Sequence, residues 1–227
     1  MESGEQIEKA ISDLISPDRD VAGEAWRQLI KIGLSAVPHI VRAMKSDNVK
    51  MRERAAEVFS SPGLRAPEAV DALIVALKDP VSMVRLIAAQ SLSRQMDLRA
   101  SDALIAALED ASGVVRGSAM SSLAILKDPR AFDLALNMIN NDADVDARCG
   151  AAHALARLQD VRVLPVLLDM LRSENDEDRM GAAHALAWTA DKRAIPALTD
   201  ALSDRYRLVR RFAQLAISQI SSEGDDG

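Results

Sequence analysis

The sequence predicts an all-α protein built as a stacked array of helical hairpins, and a repeating arginine pattern carries this prediction. Each copy has an arginine, an alanine three residues later and a large apolar residue four positions further on. Consecutive arginines are 31 to 33 residues apart. A fixed period of this size is typical of arrays in which each unit buries its face against its neighbours. The copies are Arg52-Ala55-Phe59, Arg85-Ala88-Leu92, Arg116-Ala119-Leu123, Arg148-Ala151-Leu155, Arg179-Ala182-Leu186 and Arg210-Ala213-Ile217.

The arginine pattern lies on the second helix of each unit, here called helix B. In the third unit this helix is predicted from Ser82 to Gln95, where Val84, Ala88 and Leu92 recur at helical spacing. The first helix of each unit, helix A, follows an Asp-x-Arg phrase. Aspartate before a helical pattern indicates an N-cap, because its carboxylate accepts hydrogen bonds from free backbone N–H groups. The phrase begins at Asp97, Asp128, Asp160 and Asp191.

Two helices per period predict seven units and no sheet. The first unit is atypical, with Ala22 at the arginine position, as terminal repeats often are. We expect one domain over residues 1–222, followed by an acidic flexible tail at 223–227. The predicted units are about 5–33, 34–63, 64–97, 98–128, 129–160, 161–191 and 192–222.

Composition restricts the classes of function. Charged residues make up 27% of the chain and apolar residues 48%, as in a folded soluble protein. The net charge of −6 argues against nucleic acid as the main partner, because duplex binding requires many cationic contacts. Cys149 is the single cysteine, which excludes an internal disulfide and fits a reducing compartment, so we expect a cytoplasmic protein. We expect no signal peptide, and no run of apolar residues in the sequence is long enough to cross a membrane.

The phrases Asp79-Pro80-Val81-Ser82-Met83-Val84-Arg85 and Asp191-Lys192-Arg193-Ala194-Ile195-Pro196-Ala197-Leu198 resemble HEAT-like repeats. More narrowly, they resemble the short variety of phycobilisome lyases, and the resemblance covers nearly the whole chain. It implies a right-handed α-solenoid, an armadillo-like α-α superhelix, whose B helices line a concave surface. The family includes scaffolds, chromophore lyases, a hydroxylase and DNA glycosylases, so membership does not determine the activity.

The repeated arginines are interpreted as structural, each pairing with acidic or carbonyl groups at the turns between helices. Residues that vary between units at outward positions of helix B are the better candidates for binding. Counting from the arginine, positions +1, +5 and +9 lie opposite the buried positions +3 and +7. In units five to seven, these positions, together with one neighbouring residue, carry residue types that often anchor binding partners. The predicted partner-binding residues are Cys149, His153, Arg157, Met180, His184, Trp188 and Phe212.

No catalytic, cofactor-binding or metal-binding residue is predicted. His153 and His184 occupy one position of adjacent units and could bridge a metal at the margin of reach, perhaps with Cys149, but duplication of the unit explains them better. Cys149 as a nucleophile would need activation, for which His153 stands one helical turn away. The related di-iron hydroxylases carry His-Glu pairs after the repeat arginine, whereas Cys149-Gly150 and Met180-Gly181 stand here.

The sequence therefore favours a non-catalytic binding or scaffold module for a protein or peptide. One alternative is a subunit of a lyase-type enzyme that handles a tetrapyrrole or similar cofactor, which the resemblance implies. A nucleic-acid binder is the third possibility, and it would require lysines and arginines clustered on the concave face.

Overall fold

A computed structural model describes residues 2–222, and within this range the chain is helical with no β-strand. The contacts divide it into two compact units, one ending at Glu109 and the other beginning at Asp110. The predicted tail at 223–227 lies outside the described residues. The all-α solenoid of helical hairpins is confirmed, whereas the boundaries of the seven repeats and their grouping into one domain stay predictions.

In the first compact unit, α1 packs on α2, α3 on α4 and α5 on α6, so helices A and B alternate. The helix B predicted from Ser82 to Gln95 has these bounds in the structure. The helices are α1 (Glu2–Asp13), α2 (Arg19–Ile32), α3 (Val37–Ala43), α4 (Val49–Val58), α5 (Pro67–Ala76), α6 (Ser82–Gln95) and α7 (Ser101–Ala106).

In the second compact unit, the B helices α8, α10, α12 and α14 lie side by side. Helix α10 contacts α8 and α12, and α12 also contacts α14. The A helices α9, α11 and α13 each pack against the helix B that follows them. The bounds are α8 (Gly113–Ile125), α9 (Ala131–Asn141), α10 (Val145–Leu158), α11 (Val163–Met170), α12 (Asp176–Ala187), α13 (Ile195–Ala201) and α14 (Arg207–Ser222).

The core follows the predicted register of the B helices. The alanine at position +3 is fully buried in all six copies of the pattern, and the apolar residue at +7 is fully buried in five. The exception is Ile217 on the last helix, which is half-buried. Small side chains at +3 allow the helices to approach closely, and the larger +7 residues fill the space between layers.

The repeated arginines link neighbouring repeats, as predicted. Arg116 donates from Nε to Asp142 at 2.7 Å and from Nη2 to the same carboxylate at 2.6 Å. Its Nη1 donates to the carbonyl of Asp110 at 2.6 Å, in the turn that precedes its own helix. The same carboxylate pairing joins Arg52 to Asp79, Arg148 to Asp178 and Arg179 to Asp204. These guanidinium groups are occupied within the fold and do not form an anion-binding surface.

The Asp-x-Arg phrase caps a helix start, as predicted, and also closes on itself. Asp191 accepts a hydrogen bond from the backbone N–H of Arg193 at 2.9 Å, and its carboxylate also accepts from the guanidinium of Arg193. The capped segment is a short 3-10 turn, Lys192–Ala194, that leads into α13. Among the described residues, no helix combines the length and apolar character needed to cross a bilayer.

Candidate functional site

The seven predicted binding residues lie on three neighbouring helices of the second compact unit. Helices α10 and α12 present them at matching positions. On each helix, positions +1, +5 and +9 follow one another about one turn apart and therefore share a face. Of these seven residues, Arg157 and Trp188 at the carboxyl ends are exposed, and the remaining five are half-buried. This set is called the B-helix surface below: Cys149, His153 and Arg157 on α10, Met180 and His184 on α12 with Trp188 at its C-cap, and Phe212 on α14.

Two imidazoles and a phenyl ring form the centre of this surface. His153 Nε2 lies 2.8 Å from His184 Nδ1, which is hydrogen-bonding distance. The rings meet edge to face, with centroids 4.6 Å apart and planes at 78°. His184 also contacts Phe212, with ring centroids 4.6 Å apart. The three side chains therefore join α10, α12 and α14 into one continuous patch.

The two imidazole nitrogens lie closer together than two ligands of one zinc ion would. Two Zn–N bonds of about 2.0–2.1 Å at a tetrahedral angle would separate the nitrogen atoms by about 3.3 Å. The observed distance is 2.8 Å. Within residues 2–222, no three side chains of the types His, Cys, Asp or Glu are grouped as metal ligands. The two rings contact each other directly, whereas the sequence suggested only that they could share a metal at the margin of reach.

Both histidines favour the neutral form. Burial, the neighbouring His184 and Arg157 together lower the pKa of His153 from 6.5 to about 4. Burial also lowers the pKa of His184. The centre of the B-helix surface is therefore uncharged at neutral pH, and the hydrogen bond joins a donor imidazole to an acceptor imidazole.

Cys149 lies at the amino-terminal side of the histidine pair and is not activated. Its thiol donates to the carbonyl of Glu177 at 3.5 Å. Burial and the carboxylates of Asp178 and Asp146 raise the thiol pKa to about 11. A thiol with this pKa stays protonated at neutral pH, whereas a nucleophilic cysteine requires the thiolate.

Arg157 and Trp188 form the exposed end of the surface. The guanidinium carbon of Arg157 lies 5.2 Å from the centroid of the Trp188 ring, within the range of a cation–π interaction. Trp188 is 56% exposed. Among the described residues, Arg157 has no hydrogen bond or ion pair to a carboxylate. Its donors are therefore available to a partner, and the indole holds the guanidinium plane in position.

Glycines explain why the B helices approach closely enough for these contacts. A Cβ atom at Gly117 on α8 would lie 2.9 Å from the carbonyl oxygen of Asp146 and 3.3 Å from the Cα of Gly150. A Cβ at Gly181 on α12 would lie 2.6 Å from Cys149 Sγ. The prediction that position +1 faces outward was wrong for Gly117, which is buried at the contact with α10.

Two carboxylates extend the surface by one further helical turn. They are not among the binding residues predicted from the sequence. Asp146 on α10 and Glu177 on α12 stand three residues before Cys149 and Met180, and both are exposed. Neither carboxylate forms an ion pair with any residue between 2 and 222. Extending the outward positions backwards by three residues would have found them, because this spacing keeps a helix on the same face.

The first compact unit contains a separate groove, between helices α3 and α5. Its volume is about 640 Å³, and Val41, Met44, Ile74 and Val75 supply much of its lining. Val75 is 71% exposed. This groove lies on the helix A side, whereas the predicted binding residues all belong to helix B.

The family model described as HEAT repeats matches four overlapping stretches of the chain, residues 5–93, 37–124, 101–187 and 132–218. The matches extend from the first predicted repeat into the last. No curated protein matches the chain significantly.

Similar solved structures share the fold at low sequence identity. The complex of CpcE and CpcF of phycocyanin lyase from Nostoc sp. PCC7120 is 22% identical, with a TM-score of 0.57, and the match covers 96% of this chain and 87% of that one. The protein YibA of Escherichia coli is 17% identical, with a TM-score of 0.64 and coverage of 96% and 94%. An engineered protein is 19% identical, with a TM-score of 0.51 and coverage of 95% and 68%. At these identities the likeness shows the fold alone.

Proposed function

Since the chain belongs to the family of HEAT repeats, we propose that it is a non-catalytic module that binds a protein or peptide in the cytoplasm. Solenoid repeats expose long surfaces and usually function by binding other macromolecules along them. The proposed binding site is the B-helix surface of the second compact unit.

The observation that carries this proposal is the exposed Trp188 beneath the guanidinium of Arg157, which no carboxylate of residues 2–222 pairs. Tryptophan and arginine are over-represented among residues that dominate binding energy. Burial of an indole that is exposed over half its surface favours binding, and so do hydrogen bonds from the guanidinium to an acceptor on the partner. The neutral histidine pair and Phe212 continue the patch across α14 and supply apolar contact area.

A lyase-type role is less well supported by the residues of this surface. The phycocyanin lyase likeness is a likeness of fold. The raised pKa of Cys149 also gives the surface no activated thiol. Nucleic acid is disfavoured as well, because Asp146 and Glu177 would repel phosphate groups along one side of the patch.

The test is to purify the partner and compare its dissociation constant for wild-type protein and for surface variants. Trp188→Ala and Arg157→Ala should each weaken binding by more than about 1 kcal/mol, or roughly fivefold, as expected for anchor residues. The matched controls Asp169→Ala on α11 and Asp200→Ala on α13 change exposed A-helix residues and should leave the dissociation constant unchanged. Losses limited to the controls would place the site on the A helices and contradict the proposal.

A further inference from the structure

The B-helix surface has opposite charges at its two ends. Helix α10 carries Asp146 near its amino end and Arg157 near its carboxyl end, with Cys149 and His153 between them. Helix α12 repeats the arrangement with Glu177, Met180, His184 and Trp188 at the same offsets of three, seven and eleven residues. Both helices therefore present one straight row of side chains, because these offsets recur on one helical face.

The two charged ends are separated by a neutral middle. Asp146 and Glu177 form the acidic end, whereas Arg157 stacked over Trp188 forms the cationic end. Between them lie Met180 and the hydrogen-bonded imidazoles, with Phe212 alongside. Arg211 on α14 occupies the position equivalent to Met180. Its positive charge therefore bounds the acidic end on the α14 side.

The charges at both ends are unpaired among residues 2–222. This differs from the repeated arginines Arg116 and Arg179, whose guanidinium groups are held by bidentate carboxylates. Unpaired charges of opposite sign on one face create a potential that favours a ligand with the complementary order of charges.

We propose that the B-helix surface binds an extended peptide segment with a basic side chain at one end, apolar residues in the middle and an acidic side chain at the other end. The acidic side chain meets Arg157, and the basic one lies between Asp146 and Glu177. This inference rests on the proposed function, since it specifies the chemistry of the partner at the same surface.

The dimensions determine the length of the segment. Eleven residues of α-helix separate Asp146 from Arg157, which corresponds to about 16 Å at about 1.5 Å per residue. An extended chain rises about 3.3 Å per residue, so about five residues cover this length. The acidic and basic side chains of the segment are therefore about four to six positions apart.

The experiment is selection from a phage-displayed library of random dodecapeptides on the immobilised full chain. Enriched peptides should share an acidic and a basic residue about four to six positions apart, with apolar residues between them and one constant order from amino to carboxyl end. The triple variant Asp146→Lys, Glu177→Lys, Arg157→Glu should enrich peptides with the reversed order. The control Asp169→Lys on α11 should enrich the wild-type pattern.

A synthetic copy of an enriched peptide, with a fluorophore, measures the effect in solution by fluorescence polarisation. Its dissociation constant should rise at least tenfold with Arg157→Glu, and replacing its acidic residue with lysine should restore binding to that variant. Such restoration also shows that the variant is folded.

Three outcomes would overturn the inference, and they differ in what they say about the proposed function. Enriched peptides that depend on Trp188 but lack a charge pattern contradict only the inference. Peptides whose binding is unchanged by Trp188→Ala contradict both. A library without enriched peptides contradicts the inference, whereas the dissociation constants of the protein partner still decide the proposed function.

Discussion

At the scale of single residues, Gly150 determines how closely α10 approaches α8. A Cβ atom at this position would collide with the backbone of Gly117, which cannot move as a flexible side chain would. We expect Gly150→Ala to lower the free energy of unfolding by about 1–3 kcal/mol, the usual cost of overpacking. Chemical denaturation of both proteins measures the difference.

The control for this variant is Gly23→Ala on α2. The added methyl group at Gly23 would meet only Arg27 Nη1, at 4.0 Å. Alanine favours helix over glycine by up to about 1 kcal/mol, so this variant should be neutral or stabilised. If both variants lost the same stability, the close approach at Gly150 would not be the cause.

His153 makes stability depend on pH in a predictable direction. Its pKa is about 4 in the folded protein and 6.5 for the ordinary imidazole. The unfolded chain therefore takes up a proton first as the pH falls, and the contribution of neutral His153 to stability is lost between pH 6.5 and 4. We expect the wild type to lose about 1–2 kcal/mol more than His153→Asn between pH 7 and pH 5, at about 1.4 kcal/mol per pKa unit.

Urea unfolding at the two pH values measures this loss, and NMR titration follows the imidazole directly. An imidazole of His153 that titrates near pH 6.5 in the folded protein would contradict the burial that the structure shows.

Residue identities predicted the position of the histidines but not their contact. The identical spacing after Arg148 and Arg179 places them on the same row of α10 and α12. Their hydrogen bond depends on the separation of α10 and α12, where Gly181 leaves room for Cys149. The contribution of Gly181 to this separation cannot be inferred from its position in one helix, because it depends on Cys149 of another.

At the scale of elements, the arginine–aspartate pairs couple consecutive repeats. Arg116 and Asp142 are both largely buried and share two hydrogen bonds. The guanidinium of Arg116 lowers the pKa of Asp142, so this pair weakens as the pH falls through the depressed pKa of the carboxyl. We expect a double-mutant cycle with Arg116→Ala and Asp142→Ala to give a coupling energy of about 1–3 kcal/mol.

The matched control is the exposed pair of Arg193 and Asp191, in which the side chain of Arg193 is 70% exposed. Solvent weakens such pairs, and their coupling is usually below about 1 kcal/mol. Equal coupling energies in the two cycles would show that the internal pairs do not hold the repeats together.

Helix B was predictable from the sequence because its pattern repeats and its buried positions are fixed by the 3.6-residue period. Helix A was less predictable in its first turn. The segments Leu98–Ala100 and Lys192–Ala194 form 3-10 turns before the α-helix begins. The side chain of the capping aspartate accepts hydrogen bonds from the arginine two residues later. Helical periodicity does not predict this local interaction.

At the scale of the whole molecule, the period determines the architecture, whereas departures from the period suggest the site. Residues shared by nearly every repeat, such as Arg148, are used for stacking. Residues that differ between repeats, such as Trp188 and Arg157, remain exposed, and within the described range Arg157 has no carboxylate partner. The sequence identified this distinction, but it did not identify the acidic end, because Asp146 precedes the arginine that begins the pattern.

The central claim is that a partner covers the B-helix surface, and Trp188 reports this directly. The chain has two tryptophans, so Trp26→Phe leaves Trp188 as the single indole. A bound partner or enriched peptide that itself lacks tryptophan should shift the emission of Trp188 to shorter wavelength and reduce its quenching by acrylamide. Binding at full affinity with unchanged emission and unchanged quenching would contradict the account, because it would place the partner away from Trp188.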